Sequence, residues 1–318
     1  MQKKLAIIGE CMLEINLGKS GAATAAANPL NADLSFGGDT LNTALYLSRL
    51  GFPVDYVTAL GDDKLSDWML QQWHNEGVGC ELVARHPGAT PGMYLIETDA
   101  QGERTFLYWR DQSPARKLLD NPGNASALFS RLREFKAIYL SGISLAISSP
   151  YARECLFTFL MDFRADGGKV IFDGNYRPKL WGSPELTRQA YQKMYRLADI
   201  ALPTLEDEQA LFEGESAEDV IQRLQDLGVS EIVLKNGPEG CEVITEEGRI
   251  HVPANKVIPV DTTAAGDSFN AGYLAHRLSG SSAVDAAKSG HNLASLVIQR
   301  RGAIIPRSAM GLDTARVS

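Results

Sequence analysis

Short apolar runs, each closed by a turn-forming residue, alternate with stretches of helical period along most of the chain. Leu5 to Gly9, Val54 to Gly61, Ala137 to Gly142, Lys169 to Asn175, Asp199 to Thr204 and Glu231 to Gly237 are largely continuous in apolar side chains rather than alternating, the mark of strands buried on both faces. Between them lie helical stretches such as Leu41 to Gly51, in which Leu41, Leu45 and Ser48 share a face and Gly51 supplies a C-terminal stop. This alternation predicts an α/β fold with a doubly wound, mostly parallel sheet flanked by helices. In such sheets ligands bind at the carboxyl ends of the strands.

Two segments depart from the pattern. Asn16 to Asn31 is rich in Ala and other small residues without a period, and reads as a mobile excursion. Met93 to Arg110 reads as a hairpin about a turn near Ala100 to Gly102. On its second strand Tyr108 and Arg110 point to one face; an odd loop sets Tyr94 opposite Tyr108, and an even loop sets it opposite Leu107. With no linker, repeat or low-complexity tail, the chain reads as one domain, 1–318, carrying a small β-rich lid from segments at about 11–35 and 92–111.

Composition narrows the partners. The 318 residues are 44% hydrophobic and 22% charged, as in an ordinary globular protein. A net charge of -8 argues against a nucleic-acid surface, which needs clustered Lys and Arg. The cysteines Cys11, Cys80, Cys155 and Cys241 have no CxxC spacing, which points to a reducing cytoplasm and no zinc site. No apolar run is long enough to span a membrane, and the N-terminal run is too short for a signal peptide.

The chemistry concentrates in DTTAAGDSFNAG, Asp261 to Gly272. An aspartate at a helix start is ordinarily a cap. Here, however, Asp267 follows Ala264, Ala265 and Gly266, whose minimal side chains expose successive N–H groups to an anion at the positive end of the helix. A phosphate cradled there, with a hydroxyl between it and Asp267, makes the carboxylate a general base and the amides stabilisers of the transferring group. One such donor lowers a barrier by roughly 3–4 kcal/mol.

These residues resemble the C-terminal signature of the ribokinase-like (PfkB-type) sugar kinases, usually D-T-T-G-A-G-D. FGGDTLNTALYLSRLG, Phe36 to Gly51, resembles their N-terminal Gly-Gly signature, more than two hundred residues earlier and in the expected order. The resemblance extends over the whole chain, through KNGPEG and RRGAIIP, and implies a three-layer α/β/α fold with a β lid. It implies that Asp267 is the catalytic base and that Ala264, Ala265 and Gly266 form the anion hole. By the same resemblance Gly37, Gly38, Asp39 and Asn42 contact the sugar, while Asn175, Arg177, Lys235, Gly237, Gly240 and Asn292 border ATP. Gly37 and Gly38 also suit a bare helix-starting turn, GPEG a tight turn, and Asn292 equally the polar face of a helix.

Three departures stand out. Ala264 replaces a glycine, which is tolerable if its φ stays negative. The family's Asn-x-x-Glu element, which orders magnesium and phosphate, is Thr204-x-x-Asp207. Glu14 stands where ribokinases carry a sugar-binding Asp. Magnesium is expected with the polyphosphate, and Asp261 is a candidate neighbour of a monovalent cation such as potassium. The tryptophans Trp68, Trp73 and Trp181 read as packing residues.

Tyr94, Tyr108, Arg110 and Arg177, together with Gly-Gly-Asp-Thr-Leu-Asn, resemble the 2-keto-3-deoxygluconate kinases, whose substrate is a sugar acid. Arginine suits carboxylate and phosphate recognition, although Arg110 also fits a solvated hairpin charge and Arg177 a surface ion pair. The implied reaction moves phosphate from ATP to the terminal hydroxyl of the acid. A fructokinase-like neutral-sugar kinase and a non-catalytic sugar sensor are the rivals; a nicotinamide dehydrogenase lacks its GxGxxG. Exposed lid strands predict a homodimer.

Overall fold

The structure, a computed structural model, describes residues 3–17, 31–98 and 104–312. Thirteen strands are present among them: β1 Lys3–Ile8, β2 Met12–Asn16, β3 Asp33–Gly37, β4 Val54–Gly61, β5 Gly79–His86, β6 Met93–Thr98, β7 Arg104–Trp109, β8 Phe135–Ser141, β9 Lys169–Asp173, β10 Ile200–Ala201, β11 Glu231–Lys235, β12 Cys241–Thr245 and β13 Gly248–Val252. Nine of them form one sheet in the order β13-β12-β11-β10-β9-β8-β1-β4-β5. All its pairs are parallel except β11/β12 and β12/β13.

Burial explains why the strand sequences do not alternate. Leu5 and Ile7 of β1 enter one core, with Leu41 and Leu45 of helix Asp39–Arg49 and Phe269 and Leu274 of helix Ala265–Arg277. Ala6 and Ile8 enter the other, with Leu156 and Phe159 of helix Pro150–Ala165. Both faces are covered, so both sets must be apolar. The helix predicted from Leu41 runs Asp39–Arg49, and Gly51 follows it at φ 77, a left-handed terminator. The chain direction of the connections reverses between β1 and β8, so a crevice opens beyond their carboxyl ends.

The segment read as Asp199 to Thr204 is shorter as a strand, with only Ile200–Ala201 pairing on both sides. Leu202 N still donates to Phe172 O, and Thr204 bridges Lys235. Residues 18–30 of the excursion and the hairpin turn at 99–103 lie outside the described residues.

A second sheet, β3-β2-β6-β7, rises from this crevice. Its register pairs Tyr94 with Tyr108, so the two tyrosines share a face, with ring centroids 5.8 Å apart. The same face carries Glu14 and Ser35, while the opposite face is mostly apolar, with Leu13, Ile15, Leu34, Phe36, Met93, Leu95, Leu107 and Trp109, and ends in the polar pair Glu97 and Thr105.

Candidate active site

Helix Ala265–Arg277 begins at Ala264, which sits in the left-handed region at φ 60 and ψ 19. The expectation of a negative φ there is corrected: this chain places a Cβ where glycine is at ease, at a cost of roughly 1–2 kcal/mol. No side chain caps the helix, and Asp267 is its third residue, so capping does not account for the acid. The Ala265 N–H closes a turn onto Thr262 O at 3.2 Å. The helical ladder starts when Ser268 N donates to Ala264 O, so the N–H groups of Gly266 and Asp267 precede it and are offered outward. A Cβ on Gly266 would stand 3.7 Å from Lys235 Nζ; its absence leaves amide and ammonium facing one space. Such a donor set suits phosphate oxygens.

Asp267 is held by Asn42, whose Nδ2 donates to its Oδ2 at 2.8 Å; Asn42 Oδ1 is buried without a partner. Thr43 Oγ1 bridges the carbonyls of Asp39 and Asp267. Burial, with the nearby carboxylates of Asp39 and Asp173, pushes the Asp267 carboxyl up to about 7, against the lowering influence of Asn42 and Lys235. Asp39 is likewise raised, first by burial and also by Asp173, while Asn175 Nδ2 donates to it at 2.7 Å. Asn175 itself adopts φ 35, a strained conformation beyond the end of β9.

Sequence reasoning missed two members of this cluster. Asp173, the last residue of β9, accepts from Lys235 Nζ at 3.1 Å and from Asn270 Nδ2 at 2.9 Å. Asn270 Oδ1 accepts from the same Lys235, so ammonium, amide and carboxylate close a buried triangle. An acid ending an apolar strand at the sheet's carboxyl edge was the available signal for Asp173. Asn270 lies one helical turn past Asp267, and that spacing was its signal.

The remaining expected residues divide. Gly37 and Gly38 are close-approach positions: a Cβ would meet Tyr94 Oη at 2.5 Å and Glu10 O at 2.3 Å, respectively. Tyr94 donates to Glu14 Oε2 at 2.5 Å, and Ser35 donates to Glu14 Oε1 at 2.9 Å. Tyr108 stands exposed above Tyr94, whereas Arg110, just past β7, is turned inward and paired with Glu10. The reading of Arg110 as a solvated hairpin charge is therefore excluded. Arg177 is exposed and donates to Asp207 at 3.3 Å. Burial raises the Asp207 carboxyl while Arg177 draws it down, so Thr204-x-x-Asp207 faces Arg177.

Gly237, at φ 51, opens a short 3-10 turn two residues past the end of β11, and Gly240, at φ 108, closes it. A Cβ on Gly240 would strike Val252 O at 2.2 Å. Asn292 is exposed and accepts from Asn255 Nδ2 at 2.7 Å. Asp261 accepts from Thr263 N, Thr263 Oγ1 and Gly302 N. Trp73 is fully buried, against Tyr56 and Phe36; Trp68 packs edge-on to Phe36, and Trp181 to Tyr191. A separate cavity of about 700 Å³, lined by Phe135, Lys136, Lys169 and Arg277, opens at the opposite end of β8 and β9.

Among the described residues no group of three or more His, Cys, Asp or Glu could hold a metal ion, and no helix is long and apolar enough to cross a membrane. Comparison with known proteins gives a family. The model described as pfkB family carbohydrate kinase matches residues 2–310. The chain is 52% identical to the 2-dehydro-3-deoxygluconokinase of Escherichia coli (strain K12), covering 98% of this chain and 99% of that one. It is 42% identical to the protein of the same name from Haemophilus influenzae, covering 97% of each. A ribokinase II from E. coli, solved in complex with ATP and magnesium, superposes with a TM-score of 0.80 at 24% identity, over 95% of this chain and 94% of that one. The fold, the motif at the mouth of helix Ala265–Arg277 and these matches converge: the chain belongs to the pfkB family of carbohydrate kinases.

Proposed function

We propose that this kinase transfers the γ-phosphoryl group of ATP to the terminal hydroxyl of 2-dehydro-3-deoxy-D-gluconate (2-keto-3-deoxygluconate), releasing ADP and the 6-phosphate. The observation that carries the substrate is the 52% identity to a 2-dehydro-3-deoxygluconokinase over nearly the whole of both chains.

In this reading the sugar hydroxyl lies against Asp267, which takes its proton as the O6–P bond forms and the bond to the β-phosphate oxygen breaks. The N–H groups of Gly266 and Asp267, with Lys235, meet the charge on the transferring group. Gly237, Gly240, Asn175 and Asn292 border the nucleotide. When bound, magnesium would supply charge neutralisation for the polyphosphate, and Asp207 and Asp173, carboxylates in the same corner, would be the residues to hold it.

Asn42 Oδ1, lacking a protein partner, accepts from a sugar hydroxyl. Tyr94 and Tyr108 cover the sugar from the lid, and Arg110 and Arg177 answer its carboxylate and the phosphates. Closure of the second sheet excludes water, so that sugar rather than solvent is phosphorylated. A potassium ion beside Asp261 is supported only by that carboxylate's place ahead of the helix. Four free cysteines support a cytoplasmic setting. The exposed Leu107 and Trp109 of the lid support a homodimer.

A coupled ADP-release assay across keto-deoxy sugar acids and ordinary hexoses tests the reading. Turnover with 2-dehydro-3-deoxygluconate far above that with fructose is expected. Preference for a neutral sugar would give the fructokinase-like rival the better claim, and no sugar-dependent ADP release would give it to the sensor.

A further inference from the structure

Glu10 lies two residues past the end of β1 and is 2% exposed, yet the proposed reaction gives it no task. Its carbonyl lies against Gly38, so it is pressed to the turn that opens the helix carrying Asn42. Its side chain meets Arg110, which is 8% exposed: Arg110 Nη2 donates to Glu10 Oε2 in a close ion pair. The pair is half made. Arg110 Nε and Glu10 Oε1 are sealed from solvent without a hydrogen-bond partner, although carboxylate and guanidinium can form two parallel bonds. Gly92 lies alongside, where a Cβ would come within 3.2 Å of Glu10 Oε1 and 3.3 Å of Arg110 Cβ.

Buried polar groups in a folded chain are nearly always satisfied, so the open Arg110 Nε marks a donor that a ligand carboxylate completes, while the open Glu10 Oε1, itself an acceptor, is left for a ligand hydroxyl. Arginine carries a long, freely rotating stem, and an uncompensated guanidinium would leave the interior for water. Glu10 prevents both by holding one nitrogen of the fork, while the other donors stay uncommitted to it.

We propose that Glu10 is a positioning residue that fixes Arg110 for the carboxylate of the sugar acid and thereby sets the preference for acids over neutral sugars. This rests on the sugar-acid reading above. The test compares KM for the sugar acid and for its methyl ester, an uncharged counterpart larger by one methyl group, in wild type, Glu10→Gln and Glu10→Ala. Gln keeps an acceptor for Nη2 and Ala does not. Glu10→Ala raises KM for the acid about tenfold or more, Glu10→Gln raises it by less, and KM for the ester moves less than twofold in both.

A merely structural role would move acid and ester together, and that result overturns the proposal. So does a fall in KM for the acid, which would make Glu10 a competitor of the substrate. Should the Ala variant fail to fold, the near-isosteric Gln variant decides alone: an unchanged acid-to-ester ratio overturns the assignment. A wild type that does not prefer acid over ester would instead remove the sugar-acid reading itself, and the role of Glu10 with it.

Discussion

Asp267 is an acid whose surroundings oppose its charge. Burial comes first, then the carboxylate of Asp39, with Asp173 adding to it; together they lift its titration to about 7, although Asn42 and Lys235 favour the charged form. A base poised there accepts a proton at neutral pH and still releases it afterwards. Because the folded-state value lies above the ordinary 3.8, the protonated form is the one that folding favours. That stabilisation is complete below about pH 4 and is lost as pH climbs through about 7. Asp267→Asn should therefore melt with the wild type near pH 4 but above it at pH 8, while turnover drops by about 10²–10⁴-fold. In the wild type, kcat/KM should rise as pH passes through about 7. A wild-type profile flat across that region, or an Asn variant that keeps its turnover, would remove the base from Asp267.

At the scale of the element, the decisive piece is the start of helix Ala265–Arg277. Its left-handed residue turns the first amides outward, and this chain builds that turn with alanine. Ala264→Gly should stabilise the fold by about 1 kcal/mol, the relief of strain being partly offset by the freer unfolded chain. Thermal melts check this, and a lower melting temperature would show that Ala264 bears no strain. The turn's chemistry was legible in its small residues; its φ was not, since Ala and Gly read alike at a motif. Strands such as β1, β4 and β8 were legible because burial on both faces leaves unbroken apolar runs. β5, β12 and β13 escaped notice because Glu81, Glu242 and Arg249 interrupt them near the sheet's edges. The register of β6 and β7 depended on loop parity, which hydrophobic pattern does not encode. Arg110 and Glu10 lie a hundred positions apart, and such a pairing leaves no local trace in one chain.

Across the whole molecule, the main sheet brings β1, β8, β9 and β11 to one edge, and the second sheet covers that edge with its polar, tyrosine-bearing face. The other face of the cover leaves Leu107 42% and Trp109 55% exposed on edge strand β7, and Leu34 is exposed on the opposite edge strand, β3. The exposed apolar end of this face, at Leu107 and Trp109, suits a second copy of itself. Sedimentation should find a dimer for the wild type and a monomer for Leu107→Glu/Trp109→Glu, whereas a monomeric wild type would end that assignment. The central claim concerns the corner where these layers meet, and a crystal structure with the sugar acid and a non-hydrolysable ATP analogue tests it most directly. The terminal phosphate should lie within hydrogen-bonding distance of the Gly266 and Asp267 amides, with the terminal hydroxyl of the sugar about 3 Å from the Asp267 carboxylate. A terminal phosphate bound away from this helix mouth, or a hydroxyl out of reach of Asp267, would contradict the account.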